Sequence, residues 1–501
     1  MVHLVVSPPE GRRCSVVWLY GSGYLLPDGS RVNRLWLGWV LSFSIPLALC
    51  YDGRQPVMGI MDTAMIKTIL IKECYSVFTN RRDLGLNGPL RDAVSIVEDD
   101  DWKRIRSALS PSFTSGRLKE MYSIMLNHSS NLVKSLSNRE SATYHQSVVD
   151  TNLTDRNDIV FTFSCRVFGP YSMDVVTSTA FSVDVDSINQ PSDPFVANIK
   201  RMVKFNFLNP LLVLVVLFPF LSPIFEKMDV SFFPAEVLDF FYNFLKRIKA
   251  DRNKNEHKSR VDFMQLMVDS QISEKTEEDK NSNKGLTDHE ILSQAMIFIF
   301  AGYETSSSTM CFLAYNLATH PDIQKALQDE IDEAFPDKSR PTYEGLMQME
   351  YLDMVFSESQ RLYPIANRLE RIAKTSVEIN GVTIPKGTTV MIPVYTLHRE
   401  PTLWPEPEAF KPERFSKENK DNIDPSAYLP FGAGPRNCIG MRFALLMMKL
   451  GLVEVLQNFS FVPCKETDIP LELGTDGFTA PKNPIKLKLV PREYAAASHS
   501  G

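Results

Sequence analysis

The sequence has little of what marks a nucleic-acid binder, a metal-cluster protein or a disulfide scaffold. Among 501 residues there are 7 cysteines and 8 histidines. Cys14, Cys50, Cys74, Cys165, Cys311, Cys438 and Cys464 follow no pairing rhythm. An odd, sparse set of this kind fits a reducing compartment better than a disulfide framework. No Cys-x-x-Cys and no Cys/His cluster occurs, which disfavours zinc and iron–sulfur sites. Runs of Lys and Arg are short and the net charge is −6, so the electrostatic footprint of a nucleic-acid partner is missing. A Gly-x-Gly-x-x-Gly loop is absent, and with it that cradle for a dinucleotide. Apolar runs long enough for a clean membrane span are scarce too. Leu35–Cys50, preceded by Arg31 and Arg34, falls short of the roughly 20 residues a spanning helix needs, and Pro46 weakens a helix there. Phe205–Phe225 is interrupted by Pro210, Pro219 and Pro223, and suits a surface-dipping element or a buried core segment.

What is present is an ordinary globular composition, 44% hydrophobic and 23% charged, in a chain long enough for one large domain or several smaller ones. The patterning predicts a strand at Gln55–Ile60 and a helix at Asp62–Ile71 opened by Asp62 as its cap. Helices follow at Glu98–Leu109, Leu118–Leu136, Tyr171–Phe181, Ala235–Lys254, Asp288–His320, Ile323–Ala334 and Met347–Leu362. Ser137–Arg166 is polar and irregular, without a clear period, which reads as a loop or disordered insert, and Ser273–Lys284 reads as a linker. Val377–Ile379 and Val382–Ile384 form a hairpin around Asn380-Gly381, and Thr389–Pro393 is another short strand. The fold class is therefore mainly α with small β-sheets, an α+β architecture in a single large helical domain.

The most informative stretch is Phe431-Gly432-Ala433-Gly434-Pro435-Arg436-Asn437-Cys438-Ile439-Gly440, followed by the apolar helical run Met441–Leu450. One cysteine sits in a Gly- and Pro-punctuated loop at a helix start. Gly434 and Gly440 would let the backbone approach a flat cofactor. Neighbouring N–H groups and the helix terminus would lower the thiol pKa. Arg436 supplies a cation suited to a carboxylate. An inert buried cysteine is the usual fate of a free thiol, but five constrained positions at fixed spacing argue against it here.

The pattern Phe-x-x-Gly-x-Arg-x-Cys-x-Gly resembles that of the cytochrome P-450 haem-thiolate proteins. The resemblance implies that Cys438 is the proximal ligand of haem b, which lies between the long central helix and the cysteine loop. Ala301-Gly302-Tyr303-Glu304-Thr305-Ser306 interrupts that apolar helix with a glycine, an acid and a hydroxyl, a locally costly combination. Gly302 would let a ligand lie against the backbone, and Thr305 could bend the helix. In the resembling family this is the oxygen-activation site, so Glu304 and Thr305 are implied as the catalytic proton relay. Trp102 and Arg106, at i,i+4, match propionate contacts, as do Arg371 and Arg436, with Arg81 as a further candidate. Phe431, Gly432 and Ala301 are expected against the cofactor as well. Glu358 and Arg361 form Glu-x-x-Arg and, with Arg414, match a buried structural network.

Longer stretches, among them KECYSVFTNRRDLG, DDWKRIRSALSPSFTSGRLKEM, FAGYETSSS and YLPFGAGPRNCIGMRFALLMMKL, resemble family 3, subfamily A, the broad-specificity mammalian microsomal monooxygenases of drugs and steroids. That likeness runs from about Tyr51 to Pro491. It implies that Phe205 and Phe207 belong to a substrate roof, and that Ser95, Phe300, Ala301, Thr305, Ile365, Ala366, Arg368 and Glu370 line the cavity. Leu84 stands where an aromatic is usual. Two departures accompany the match: 1–50 does not resemble the subfamily's anchor, hinge and first helix, and the insert 137–166 is longer than expected. The organisation read from the chain is an atypical segment 1–50, a catalytic domain 51–492 and a tail 493–501.

The expected activity is monooxygenation of lipophilic substrates such as steroids, drugs and other xenobiotics at the cytosolic face of the endoplasmic reticulum membrane. NADPH would act only indirectly, through NADPH-cytochrome P-450 reductase, with cytochrome b5 as a further partner. Lys103, Arg104, Lys417, Lys420 and Arg442 are expected to steer the acidic reductase surface. The alternatives are a haem-binding-only or non-functional variant and a reductase-independent haem-thiolate isomerase.

Overall fold

The computed structural model describes residues 2–6, 15–19, 47–52, 55–149, 160–162, 167–190, 192–202, 210–253, 262–271, 285–474 and 477–492. Phe205 and Phe207, and most of the segment Met1–Cys50, lie outside them. Among the described residues helices form the body, and sheets of six, three and two strands complete it. The largest sheet joins β1 (Val2–Val6), β2 (Ser15–Leu19), β3 (Leu47–Asp52), β4 (Gln55–Ile60), β6 (Leu369–Ile372) and β9 (Thr389–Ile392) in the order β2-β1-β3-β4-β9-β6. β5 (Val160–Thr162) pairs with β11 (Lys486–Pro491), which also pairs with β10 (Phe459–Pro463). β7 (Val377–Ile379) and β8 (Val382–Ile384) form the hairpin that Asn380-Gly381 signalled, with φ of 49° and 76° at the two turn residues. The C-terminal part of the apolar stretch Leu35–Cys50 is thus strand, paired in register with β4.

The central helix spans Asp288–Thr319. It begins with a capping box: Thr287 accepts from Glu290 N–H, and the Glu290 carboxylate accepts from Thr287 N–H at 2.8 Å. It is apolar around most of its circumference, as a helix through the middle of a large core must be. The helix Phe168–Phe181, buried along its whole length, packs against it and against the helix Met441–Asn458. Small residues set these distances. A Cβ on Gly302 would meet Val176 Cγ2 at 2.7 Å, and one on Gly451 would meet Tyr171 Cε1 at 2.6 Å. Two bonds lock the contact: Ser172 Oγ donates to Gly302 O at 2.8 Å, and Tyr171 OH donates to Met447 O at 2.7 Å.

Among the described residues two large hydrophobic cores result. The larger joins these helices with β10 and β11 through Phe459, Phe461, Leu487 and Leu489. The smaller lies under the largest sheet and includes Ile60, Ile66, Leu70, Phe78, Val390 and Leu429. The cysteine loop spans the seam between them. Leu429 and Ala433 belong to the sheet core, whereas Ile439 and Phe443 pack on the helical one.

One expectation needs correction. Residues 137–166 are not uniformly irregular: the helix that starts at Ser115 continues to Val149, and Val160–Thr162 is a strand. No glycine or proline interrupts Leu118–Val149, so nothing in the backbone chemistry stops the helix where its apolar period fades. The helix expected at Asp62–Ile71 is also divided. Asp62 caps Thr63–Lys67, accepting from Met65 N–H at 2.7 Å, and a π-helical turn continues over Thr68–Lys72.

Candidate active site

The loop around Cys438 is shaped by its own backbone. Gly432 N–H donates to Leu429 O at 3.0 Å, Asn437 N–H to Gly434 O at 3.1 Å, and Cys438 N–H to Phe431 O at 2.9 Å. Gly432 and Gly434 have φ of 71° and 72°, a region that favours glycine. At Gly434 the space requires it as well, because a Cβ would lie 1.9 Å from Leu70 O. The close approach expected at Gly434 is therefore to the main chain of the Thr68–Lys72 turn. Gly440 is different: it caps the helix Met441–Asn458 with φ of −86°, and the nearest atom to a Cβ there is Phe113 Cε1 at 3.8 Å.

Cys438 is surrounded by protein and still keeps accessible surface on its side chain. Burial pushes the thiol pKa up, against the expectation from the loop's N–H groups. The Gly440 N–H, Arg106 and Arg81 pull it down, but burial is the larger effect. Coordination to a metal would deprotonate the thiol outright.

Four guanidinium groups converge near the loop from four segments. Arg106 donates from Nη1 to Asn437 O at 3.1 Å and from Nη2 to Asn437 Oδ1 at 2.9 Å. Arg81 Nη2 donates to Arg436 O at 3.3 Å, and Arg371 Nη1 to Glu370 O at 2.8 Å. Arg436 Nη2 donates to Val97 O. Among the described residues all these acceptors are amide or carbonyl oxygens. Burial, followed by repulsion from Arg81 and Arg371, pushes Arg436 down to about 9. Burial and then Arg81 push Arg371 down to about 9 as well. Arg81 and Arg106 are lowered chiefly by burial. Arg371 Nε and Arg436 Nε and Nη1 are buried without a hydrogen-bond partner among the described residues. Buried charges are ordinarily paired, so this group is built for an anion that comes from outside the chain. A flat cofactor with carboxylates and a thiolate-seeking metal fits it.

On the central helix, Ala301 is exposed, whereas Ile299 and Tyr303, two residues to either side, are buried. Thr305 Oγ1, one turn on, donates to Ala301 O at 2.6 Å. Ser308 Oγ donates to Glu304 Oε1 at 3.5 Å, and burial pushes the Glu304 carboxyl pKa up. Gly302 does not open onto a ligand: its bare face meets Val176, and its carbonyl accepts from Ser172. Phe298, one turn before Ala301, and Phe443, just beyond Cys438, both contact Phe263, with ring centroids 6.0 and 5.6 Å away. The two elements expected on either side of a cofactor are therefore neighbours.

Glu358, Arg361 and Arg414 meet as one buried set. Arg361 donates from Nε to Glu358 Oε2 and from Nη2 to Glu358 Oε1, both at 2.8 Å. Its remaining donors go to His398 O and Pro407 O at 2.8 Å and to Ala409 O at 3.1 Å. Arg414 Nε donates to Glu358 Oε1 at 3.2 Å. His398, a residue the sequence did not flag, joins this set to the cysteine loop. Its Nε2 accepts from Leu429 N–H at 2.8 Å, and its Nδ1 donates to Arg361 O at 3.1 Å. Asn437, the partner of Arg106, was also missed, although its place between Arg436 and Cys438 was a signal.

The residues expected around substrate are placed as follows. Ser95, Ile365, Ala366 and Phe300 are partly buried. Phe300 meets Phe233 edge-on, with centroids 5.6 Å apart. Glu370 pairs with Arg82 at 3.3 Å and Arg368 at 3.2 Å. Trp102 is buried under the Arg436 guanidinium.

A family model described as Cytochrome P450 matches residues 42–489. Cytochrome P450 3A40 of Oryzias latipes is 62% identical over 447 residues, which are 89% of this chain and 85% of that protein. Cytochrome P450 3A30 of Fundulus heteroclitus is 62% identical over 442 residues, 88% of this chain and 85% of its own. Cytochrome P450 3A12 of Canis lupus familiaris is 56% identical over 443 residues, 88% and 84% of the two chains.

Proposed function

The chain belongs to the cytochrome P450 family and is a haem-thiolate monooxygenase of lipophilic substrates, and on that premise we propose how its site divides the work. Haem b, when bound, supplies the iron at which dioxygen is activated with two electrons from NADPH, delivered through a flavoprotein reductase. Everything else falls to the chain.

Cys438 gives the proximal thiolate. Arg81, Arg106, Arg371 and Arg436, with Trp102, would hold the propionates; the N–H groups of Arg371 and Arg436 that have no partner among the described residues are the observation that carries this reading. Phe431, Gly432 and Ala301 would lie against the cofactor. Burial keeps Glu304 protonated to higher pH than an exposed carboxyl, so it can hold a proton for delivery. The Thr305 hydroxyl, bonded to Ala301 O, can turn from that carbonyl to pass it on. Ser95, Phe300, Ile365 and Ala366 shape the substrate space within a catalytic domain spanning 51–492. Glu370, paired with Arg82 and Arg368, and Arg368 itself form its rim.

Docking of the reductase is assigned to Lys103, Lys417, Lys420 and Arg442. Lys103 and Lys417 pair with Asp100 and Glu350 but keep exposed side chains, whereas Arg104 is withdrawn from that set because its largely buried side chain is tied to Glu290, Asp101 and Gly285 O. Among the described residues no single helix is long and apolar enough to cross a membrane. The bent pair Pro210–Leu217 and Pro219–Lys227 exposes Val213, Leu217, Phe218, Phe220 and Ile224. These side chains suit contact with the cytosolic surface of the endoplasmic reticulum membrane. Cytochrome b5 is a further partner in this reading.

The test is turnover of a steroid by purified protein with NADPH and reductase. Product that depends on both supports the reading. Substrate conversion without reductase would decide for an isomerase, and haem incorporation without NADPH consumption for a binding-only variant.

A further inference from the structure

The segment 89–97, which carries Ser95, is a strap tied down at both ends. At its start, Ser293 Oγ of the central helix donates to Pro89 O at 2.6 Å. Gln294, the next residue, is fully buried and spends both ends of its amide on the strap. Its Nε2 donates to Asp92 O at 2.6 Å, and its Oε1 accepts from Val94 N–H at 2.7 Å. The amide orientation is fixed by these partners, since a carbonyl only accepts and an N–H only donates. Nε2 also donates to Glu290 O within its own helix at 3.1 Å. His289 meets the Asp92 carboxylate beside it. At the far end, Val97 O accepts from Arg436, two residues before Cys438. Only Ser95 and Ile96 lie between the two clamps.

Helix formation alone does not require this arrangement. A buried glutamine could be satisfied in many ways, but this one grips the main chain on both sides of Ala93, as a neighbouring β-strand would. We propose that Gln294 is a positioning residue for substrate selection: it fixes the height and direction at which the strap presents Ser95 to bound substrate. The proposal rests on Ser95 lining the substrate space.

The experiment uses the full-length holoprotein with reductase and one steroid that yields more than one hydroxylated product. It compares Q294L, Q294E, S95A and the double variant Q294L/S95A. Leucine, apolar and one atom shorter, removes both bonds to the strap; glutamate keeps the acceptor for Val94 N–H and loses the donor to Asp92 O. With Ser95 in place, Q294L should raise KM by about three- to tenfold and shift the product ratio. Q294E should fall between Q294L and the parent. The carbon monoxide spectrum should not move in either, because neither residue touches Cys438. In the S95A background, Q294L should produce no further shift in ratio. An S95A effect without any Q294L or Q294E effect overturns the proposal. So does a Q294L shift of equal size in both backgrounds. If S95A itself changes neither KM nor ratio, the placement of Ser95 fails and the proposal with it. Should Q294L not accumulate as holoprotein, the comparison of Q294E with S95A and their double variant decides on the same terms.

Discussion

The guanidinium of Arg436 lies over the indole of Trp102, 4.5 Å from the ring centroid, while its Nε and Nη1 have no hydrogen-bond partner among the described residues. The aromatic face offsets part of the cost of burying the charge. It leaves two donors available to an incoming carboxylate. An apolar side chain of similar length should therefore act in opposite directions on the two forms of the protein. R436M is expected to leave the apoprotein no less stable, or more so, while haem is lost faster. Thermal unfolding of the apoprotein and haem transfer to an acceptor globin measure the two effects.

Gly434 and Gly440 flank the ligand, and their environments differ. G434A places a Cβ on the Leu70 carbonyl in a conformation that already strains an L side chain. The expected cost is about 3 kcal/mol or more, read as loss of haem-loaded protein on expression. G440A meets only Phe113 at 3.8 Å and should load haem normally. Equal yields for the two variants would contradict this account of the loop.

Glu358 accepts from Arg361, Arg414 and the Lys411 N–H. E358Q keeps the shape, removes the charge and turns one acceptor into a donor aimed at cations. Breaking a buried ion set in this way costs about 3–5 kcal/mol. The holoprotein should unfold at clearly lower denaturant concentration, with the haem spectrum of the surviving folded fraction unchanged.

His398 links this set to the cysteine loop as a neutral imidazole. Burial pushes its pKa down to about 3 from 6.5. Between those values the unfolded chain binds a proton that the folded chain does not. Stability from this residue is thus complete above about pH 6.5 and declines as pH falls, by about 1.4 kcal/mol per pH unit for one proton. The sense is physical: a protonated Nε2 would point a donor at the Leu429 N–H. Unfolding free energies from pH 7 to pH 5 should show this slope in the parent and a slope shallower by one proton in H398N, which is less stable throughout. Parallel slopes would exclude His398 as the titrating group.

Local chemistry made much of this legible in the sequence. Asp62 as a cap, Asn380-Gly381 as a hairpin turn and the Cys438 loop each announce themselves within a few residues. Contacts between distant segments do not. Gln294 finds its partners on the strap about 200 positions away and His398 bridges the end of the helix Glu350–Leu362 and the cysteine loop, so neither carries a local signature. Gly302 was visible as a costly residue in a helix, but only the packed neighbour Val176 explains it. The helix Ser115–Val149 outran its apolar period because the sequence lacks a breaker there rather than because it favours helix strongly.

The central claim is that Cys438 is the proximal haem ligand, and the carbon monoxide difference spectrum of the reduced, haem-loaded protein tests it most directly. The account predicts the red-shifted Soret band of thiolate ligation in the parent and its disappearance in C438H, with haem still bound. A folded, haem-loaded parent without that band, or a C438H variant that retains it, would contradict the assignment.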